Sequence, residues 1–203
     1  MNLRIWIKIC CTSLVVLTIA GVLGYISVSN LKRNATLIVN DTLPGLSFAG
    51  EANAYLADAS RTLMIIQTDD PAKRRAIHDE IDGLSQRTSG YLERYAGQIY
   101  SDEDRKNYQK LLDERKTYLK IRDEILRLAL AGEKNAAMML YTQSLVPAHR
   151  RVKNAGDAVF EYNMRQGEIR GRNILALCTA TQITVAILSV AVFLSGFFIG
   201  LFK

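Results

Sequence analysis

Two long stretches of the chain carry no formal charge, Ile9–Leu31 and Asn173–Phe202. Neither keeps the polar stripe of a helix lying on a soluble core. Each reaches or exceeds the roughly 20 residues needed to cross the hydrocarbon part of a bilayer. They predict two membrane-spanning helices. In the second, Thr179, Thr181, Gln182 and Thr184 place the most apolar part at Ile183–Phe202. The first run is longer than the roughly 7–15-residue apolar region of a cleaved signal peptide. Polar helical sequence follows it directly, so it reads as an uncleaved anchor. The pattern divides the chain into a short N-terminus (1–8), a first span (9–31), a polar middle (32–172) and a second span (173–202).

The middle has the period of helices and no sustained alternation typical of strands. A first stretch, running to about Ile66, places Leu46, Asn53 and Ser60 seven apart, and likewise Ala49, Leu56 and Leu63. Pro44 and Gly45 predict a bend early in it, since proline removes a ladder hydrogen bond and crowds the preceding turn. Thr68–Pro71 reads as a turn with an acidic cap before proline. A second stretch sets Ile77, Ile81, Leu84, Thr88, Tyr91 and Tyr95 on one face and ends near Ile99. Ser101, with Asp104 three residues on, opens a third in the manner of a capping box. Its rows are Leu111–Tyr118–Ile125 and Leu112–Leu119–Leu126, with Ile121 and Leu128 widening the stripe, and Ala131–Gly132 ends it. A fourth begins near Glu133–Asn135, kinks at Pro147, and carries Val152, Ala155, Val159 and Tyr162 toward Arg172. No break separates it from the second span. Four apolar-striped rods of about 45–60 Å with short connections predict an all-α protein, an antiparallel four-helix bundle flanked by two transmembrane helices.

Charge sharpens this division. All 20 acidic residues, and every basic residue except Arg4, Lys8 and Lys203, lie between Lys32 and Arg172. The net charge of +6 comes without a basic-aromatic module, so no nucleic-acid partner is expected. Arg4 and Lys8 on one side of the first span nearly balance Lys32 and Arg33 on the other. Two spans put both termini on one side, and a short basic N-terminus favours the inside. The three cysteines, Cys10, Cys11 and Cys178, all lie in or beside the spans, which excludes a disulfide framework in the middle. Ala20–Gly24 and Gly196–Gly200 are small pairs that permit close helix approach.

Specific segments carry a resemblance. TLPGL at Thr42–Leu46, the turn at Thr68–Pro71, LALAGEKNAAMMLY at Leu128–Tyr141 and SLVPAHRRVKNAGDAVFEYN at Ser144–Asn163 follow one another between the two spans. In this layout the chain resembles the four-helix-bundle sensory domain of bacterial methyl-accepting chemotaxis receptors. The resemblance implies a sensor in the inner membrane with a periplasmic bundle and cytoplasmic termini. It implies a homodimer in contact with membrane lipid, recognising a small-molecule ligand directly or through a periplasmic binding protein. Receptors of that type continue into a HAMP linker and a cytoplasmic coiled coil, whereas this sequence stops at Lys203. It is therefore expected to be either a piece of such a receptor or a stand-alone relative. Similar domains also precede histidine kinases and cyclic-dinucleotide enzymes, and a non-sensory two-span scaffold or partner subunit is the other reading.

A carboxylate ligand requires cations placed to grip it. In relatives of this type, arginines on the first bundle helix hold such a ligand across a dimer interface, and that resemblance points to Arg61, with Thr62 beside it. Arg61 otherwise reads as a surface arginine or as the partner of Asp58. Arg150 and Arg151, with His149, form a second candidate beyond the Pro147 kink, against the reading of a solvated basic face. His78 and Asp82 have helical i, i+4 spacing, but two ligands make no metal site. No nucleophile elbow, phosphate loop, zinc-protease or haem-attachment motif occurs, so neither a catalytic residue nor a cofactor is expected.

Overall fold

A computed structural model of the protein describes residues 3–201, with side chains except at 3–10, 12, 44, 45, 47–56 and 195–201. Cys10, the seam positions Ala49, Asn53 and Leu56, and the Gly196–Gly200 pair fall outside the described side chains. The described residues form helices α1 (Leu3–Leu37), α2 (Leu43–Gln67), α3 (Pro71–Ala96), α4 (Asp102–Leu130), α5 (Lys134–Leu140) and α6 (Val146–Leu201), and no strand. Wider π-helical turns, Ile38–Thr42 and Tyr141–Leu145, join α1 to α2 and α5 to α6. The chain forms two compact units, Val39–Gly167 and a second made of Met1–Ile38 with Glu168–Lys203.

Each π turn is followed by a proline, Pro44 and Pro147. A proline cannot donate to the carbonyl four residues back, and its ring crowds that carbonyl. For Pro44 that residue is Asn40, and for Pro147 it is Gln143, the central residue of each π turn. At Pro147 the wider turn accommodates the ring without ending the helical path. The bends expected at these prolines are therefore π turns set just before them.

Turn chemistry closes the bundle. The Asp70 carboxylate caps α3 by accepting from the N–H groups of Ala72 (2.8 Å) and Lys73 (3.4 Å), with Pro71 in first position. Ser101 caps α4 by accepting from the Asp104 N–H at 3.1 Å. Gly132, at φ 83°, turns the chain after α4 in the left-handed region that glycine alone enters without cost.

Cross-helix partners show the antiparallel order of the Val39–Gly167 unit. As α4 advances from Asp104 through Arg115 to Arg122, its α3 partners recede from Tyr95 through Ser89 to Ser85. As α4 advances from Glu103 to Glu114, its α6 partners recede from Arg165 to Arg151. The core holds Ile65, Ile66, Ile77, Ile81, Leu92, Leu111, Ile125, Leu145, Val152 and Val159, all buried. Burying each such side chain contributes about 1.5–3 kcal/mol.

The structure corrects three expectations. The bundle helices are shorter than anticipated, with 25, 26 and 29 residues in α2, α3 and α4. In α3, Leu92 is buried while Leu84 and Tyr91 are only half-buried. The described end of α2 turns Asp58, Thr62, Ile65 and Ile66 inward and leaves Ser60 exposed and Leu63 half-buried. Apolar spacing selected the wrong face there because the true inward face is partly polar.

The second unit contains the apolar stretches. Two helical runs, Ser13–Thr42 and Lys134–Leu194, contain windows of mean hydropathy 1.9 and 2.1 and are long and apolar enough to cross a membrane. Their large side chains, such as Leu14, Tyr25, Leu175 and Phe193, are exposed. No atom lies within 4 Å of a Cβ placed at Gly24, so Ala20–Gly24 makes no close helix approach among the described residues. Arg170 donates to the Leu37 carbonyl at 3.1 Å, linking α6 to the end of α1.

Candidate functional site

The inward face of α2 meets α4 through charge. Arg122 Nη1 donates to Asp58 Oδ2 at 3.1 Å, while its Nε and Nη2 donate to Asp123 Oδ1 at 3.1 and 2.9 Å. Nη1 also reaches Ser85 Oγ on α3 at 3.5 Å. Both members of the cross-helix pair are nearly enclosed, with side-chain exposures of 7% and 8%. The Tyr118 hydroxyl faces the Asp58 carboxylate, and the Thr62 hydroxyl donates to the Asp58 carbonyl at 3.0 Å. His149 on α6 lies across Tyr118, ring centres 6.2 Å apart. All four bundle helices thus contribute to one buried polar layer.

Burial sets the titration of this layer. It pushes the Asp58 carboxyl above the usual carboxylate range, against the pull of Arg122. Burial, reinforced by Asp58, also raises the Tyr118 phenol, which stays protonated as a donor. For His149, burial depresses the imidazole, Asp58 pulls it the other way and Lys153 adds to the lowering. The His149 Nε2 is enclosed and has no hydrogen-bond partner.

A second polar layer occupies the end of the bundle where the chain enters at Val39 and leaves at Gly167. The Tyr95 hydroxyl lies 2.7 Å from both carboxylate oxygens of Asp104 and accepts from Asn163 Nδ2 at 2.7 Å. The Ser101 and Tyr162 hydroxyls are 2.6 Å apart. Asp41 and Thr42, from the first π turn, are buried at the same end, where the Asp41 charge acts on Tyr95. A Cβ at Gly167 would meet Thr42 Cγ2 at 2.8 Å, so glycine permits the closest approach of α6 to this turn. The Asp104 carboxylate turns to Tyr95, so the capping box expected at Ser101 operates through its serine half.

The sequence-derived binding residues occupy separate places. Arg61 pairs with Glu80 on α3 at 2.5 Å rather than with Asp58, and also donates to the Ala57 carbonyl at 3.3 Å. It lines an open groove between α2 and α3 with Glu80, Leu84, Gln86 and Arg87. Thr62 is wholly buried on the other side of the same helix. Arg150 is exposed on α6, and Arg151 pairs with Glu114 on α4 at 3.0 Å. Arg61 and Thr62 thus share a helix but not a face, and the Arg150–Arg151 pair belongs to the α4–α6 surface.

Sequence reasoning missed Asp58, Arg122, Asp41 and Asn163. A signal for Arg122 was present. It stands four residues after Tyr118 and three before Ile125, so the α4 stripe itself places a cation in the core. Asp58 lies four before Thr62 and seven before Ile65, on the face those residues define.

His78 Nδ1 and Asp82 Oδ2 are 3.5 Å apart. No group of three metal-ligating side chains occurs among the described residues. The two polar layers join helices of the bundle to one another. No curated protein matches the chain significantly. The sequence pattern of a four helix bundle sensory module for signal transduction, a family of sensors and not of enzymes, matches residues 4–177. With that match covering most of its length, the chain belongs to the family of four helix bundle sensory modules for signal transduction.

Proposed function

We propose that the chain is the periplasmic sensor of a two-span bacterial inner-membrane receptor, with both termini in the cytoplasm. It binds a small ligand at the bundle and passes a displacement across the bilayer, acting as a homodimer in a chemoreceptor-type pathway. The observation that carries this reading is α6, one helix from Val146 to Leu201. Its first part buries Val152, Ala155 and Val159 in the bundle core, and its last part is uncharged from Asn173 to Phe202. A change in packing at the first part moves the second, because a continuous helix resists axial compression. The size of the shift is limited by the ligand's differential affinity for the two arrangements.

The ligand class best supported is a carboxylate. Arg61 and Arg87 line one groove, where a carboxylate would compete with Glu80 for Arg61. Arg150 and Arg151 form the second cationic candidate, where the competitor is Glu114. Contact with Thr62 requires the α2–α4 interface to open, because its hydroxyl is enclosed on the Asp58 carbonyl.

A thermal-shift screen of the full chain in detergent against organic acids, amino acids and metal salts tests this reading. A ligand at a hundredfold its Kd adds about 2.7 kcal/mol. The expected result is stabilisation by a carboxylate that Arg61→Glu removes. Stabilisation by none of the compounds, or stabilisation indifferent to both Arg61→Glu and Arg150→Glu/Arg151→Glu, contradicts it.

A further inference from the structure

We propose that the buried polar layer makes the bundle responsive to protons: protonation of His149 turns its imidazole toward Asp58 and displaces α6 against α4. The inference rests on the sensor reading for its consequence, since α6 is the helix that enters the second apolar stretch.

Three observations carry it. First, His149 is half-buried, so protons reach it, yet its Nε2 is enclosed with no acceptor. A neutral imidazole tolerates this as a bare lone pair or a weakly placed N–H. An imidazolium does not, because both of its nitrogens are donors. Second, the ring rests on Tyr118 of α4, so it cannot turn without altering the α4–α6 contact. Third, Asp58 is the acidic group acting on it among the described residues, and Asp58 is already bonded to Arg122. A charged His149 therefore competes with Arg122 for one carboxylate. Arg122 has a second acceptor in Asp123 and keeps a partner when Asp58 shifts.

The groups around the imidazole define the balance. From α2 comes Asp58; from α4 come Tyr118 and, beyond Asp58, Arg122. The π turn before α6 contributes Tyr141, which acts on Tyr118, and α6 itself contributes Lys153. From α3, the uncharged Ser85 hydroxyl reaches this set only through Arg122. Burial and Lys153 oppose the charge, and Asp58 favours it. With the folded imidazole depressed below 6.5, the unfolded state binds the proton first as pH falls. The stability due to neutral His149 is thus complete above 6.5 and is lost as pH drops through the depressed value.

The test uses the full chain, ligand-free, in lipid nanodiscs. His78→Gln leaves His149 as the single imidazole, and its NMR signals are followed from about pH 8 to about pH 5. Spin labels at Thr117→Cys on α4 and Asn154→Cys on α6, with native cysteines replaced by alanine, report the interhelix distance over the same range. The expected result is a midpoint below the ordinary histidine value and a distance shift of about 1–2 Å with that midpoint. His149→Gln abolishes the distance shift, and Asp58→Asn lowers the midpoint further. His149→Phe, which keeps the ring on Tyr118, serves if the glutamine variant does not fold. A midpoint at or above the ordinary value, a constant distance, or a shift that persists without His149 overturns the proposal. Because the readout needs neither ligand nor output, its failure is separate from failure of the ligand-sensing reading.

Discussion

Arg122 holds two acidic partners at once, one across the core on α2 and one beside it on its own helix. Removing one member of a buried pair leaves the other charge unpaired, at a cost of about 3–5 kcal/mol. Replacing both with apolar groups is often neutral. Arg122→Met should therefore destabilise the bundle by about that amount, and Asp58→Leu added to it should recover most of the loss. Denaturant melts of the full chain, arranged as a double-mutant cycle, measure this. Additive losses would mean that the pair is not coupled. These residues also explain where the sequence was hard to read. The α4 row of Leu111, Tyr118 and Ile125 was plain, and all three are fully buried. The α2 face was not, because its inward positions include Asp58 and Thr62, and a hydrophobic pattern has no means of following a polar seam. Arg61 stood out through the resemblance, yet its partner proved to be Glu80, a contact between helices that spacing along one helix does not show.

At the scale of elements, the caps were the most legible features. Asp70 before Pro71, Ser101 and Gly132 each act through a local hydrogen bond or backbone angle, so the information lies within a few residues. The π turns were visible only as prolines. A proline in the sequence marks where the helix must adjust but not that the adjustment takes the form of a wider turn. The first π turn also sets a close contact, Thr42 Cγ2 against Gly167. Gly167→Ala should cost about 1–3 kcal/mol through overpacking, and Thr42→Ser, which deletes that methyl, should restore most of it. Equal melting of Gly167→Ala and the parent chain would show that the approach is looser than described.

The whole molecule is organised by the partition of charge. Acidic residues are confined to the middle of the chain, and the two helices long enough to cross a membrane have their apolar stretches outside it. This was the clearest information in the sequence, because the length and polarity of an uncharged run are legible without knowing how any residue packs. What spacing did not supply was the pair of polar layers inside the bundle, which depend on contacts between residues as distant as Asp58 and Arg122 or Tyr95 and Asn163. These layers tie α6 to α3 and α4 through a few hydrogen-bonded groups, while α6 itself continues past Gly167 as helix.

The account depends on α6 as a mechanical element, and one measurement bears on that directly. Residues 1–203 are fused to a signalling output whose activity responds to ligand, and a short run of glycines is inserted beside Arg170. Glycine weakens a helix interior by about 1 kcal/mol per residue relative to alanine, so the insertion interrupts the rod while leaving the bundle core intact. An insertion of the same number of alanines controls for length and register. Loss of the ligand response with glycines, with ligand binding retained and some response kept by the alanine control, is the predicted result. A full response through the glycine insertion would contradict transmission along α6.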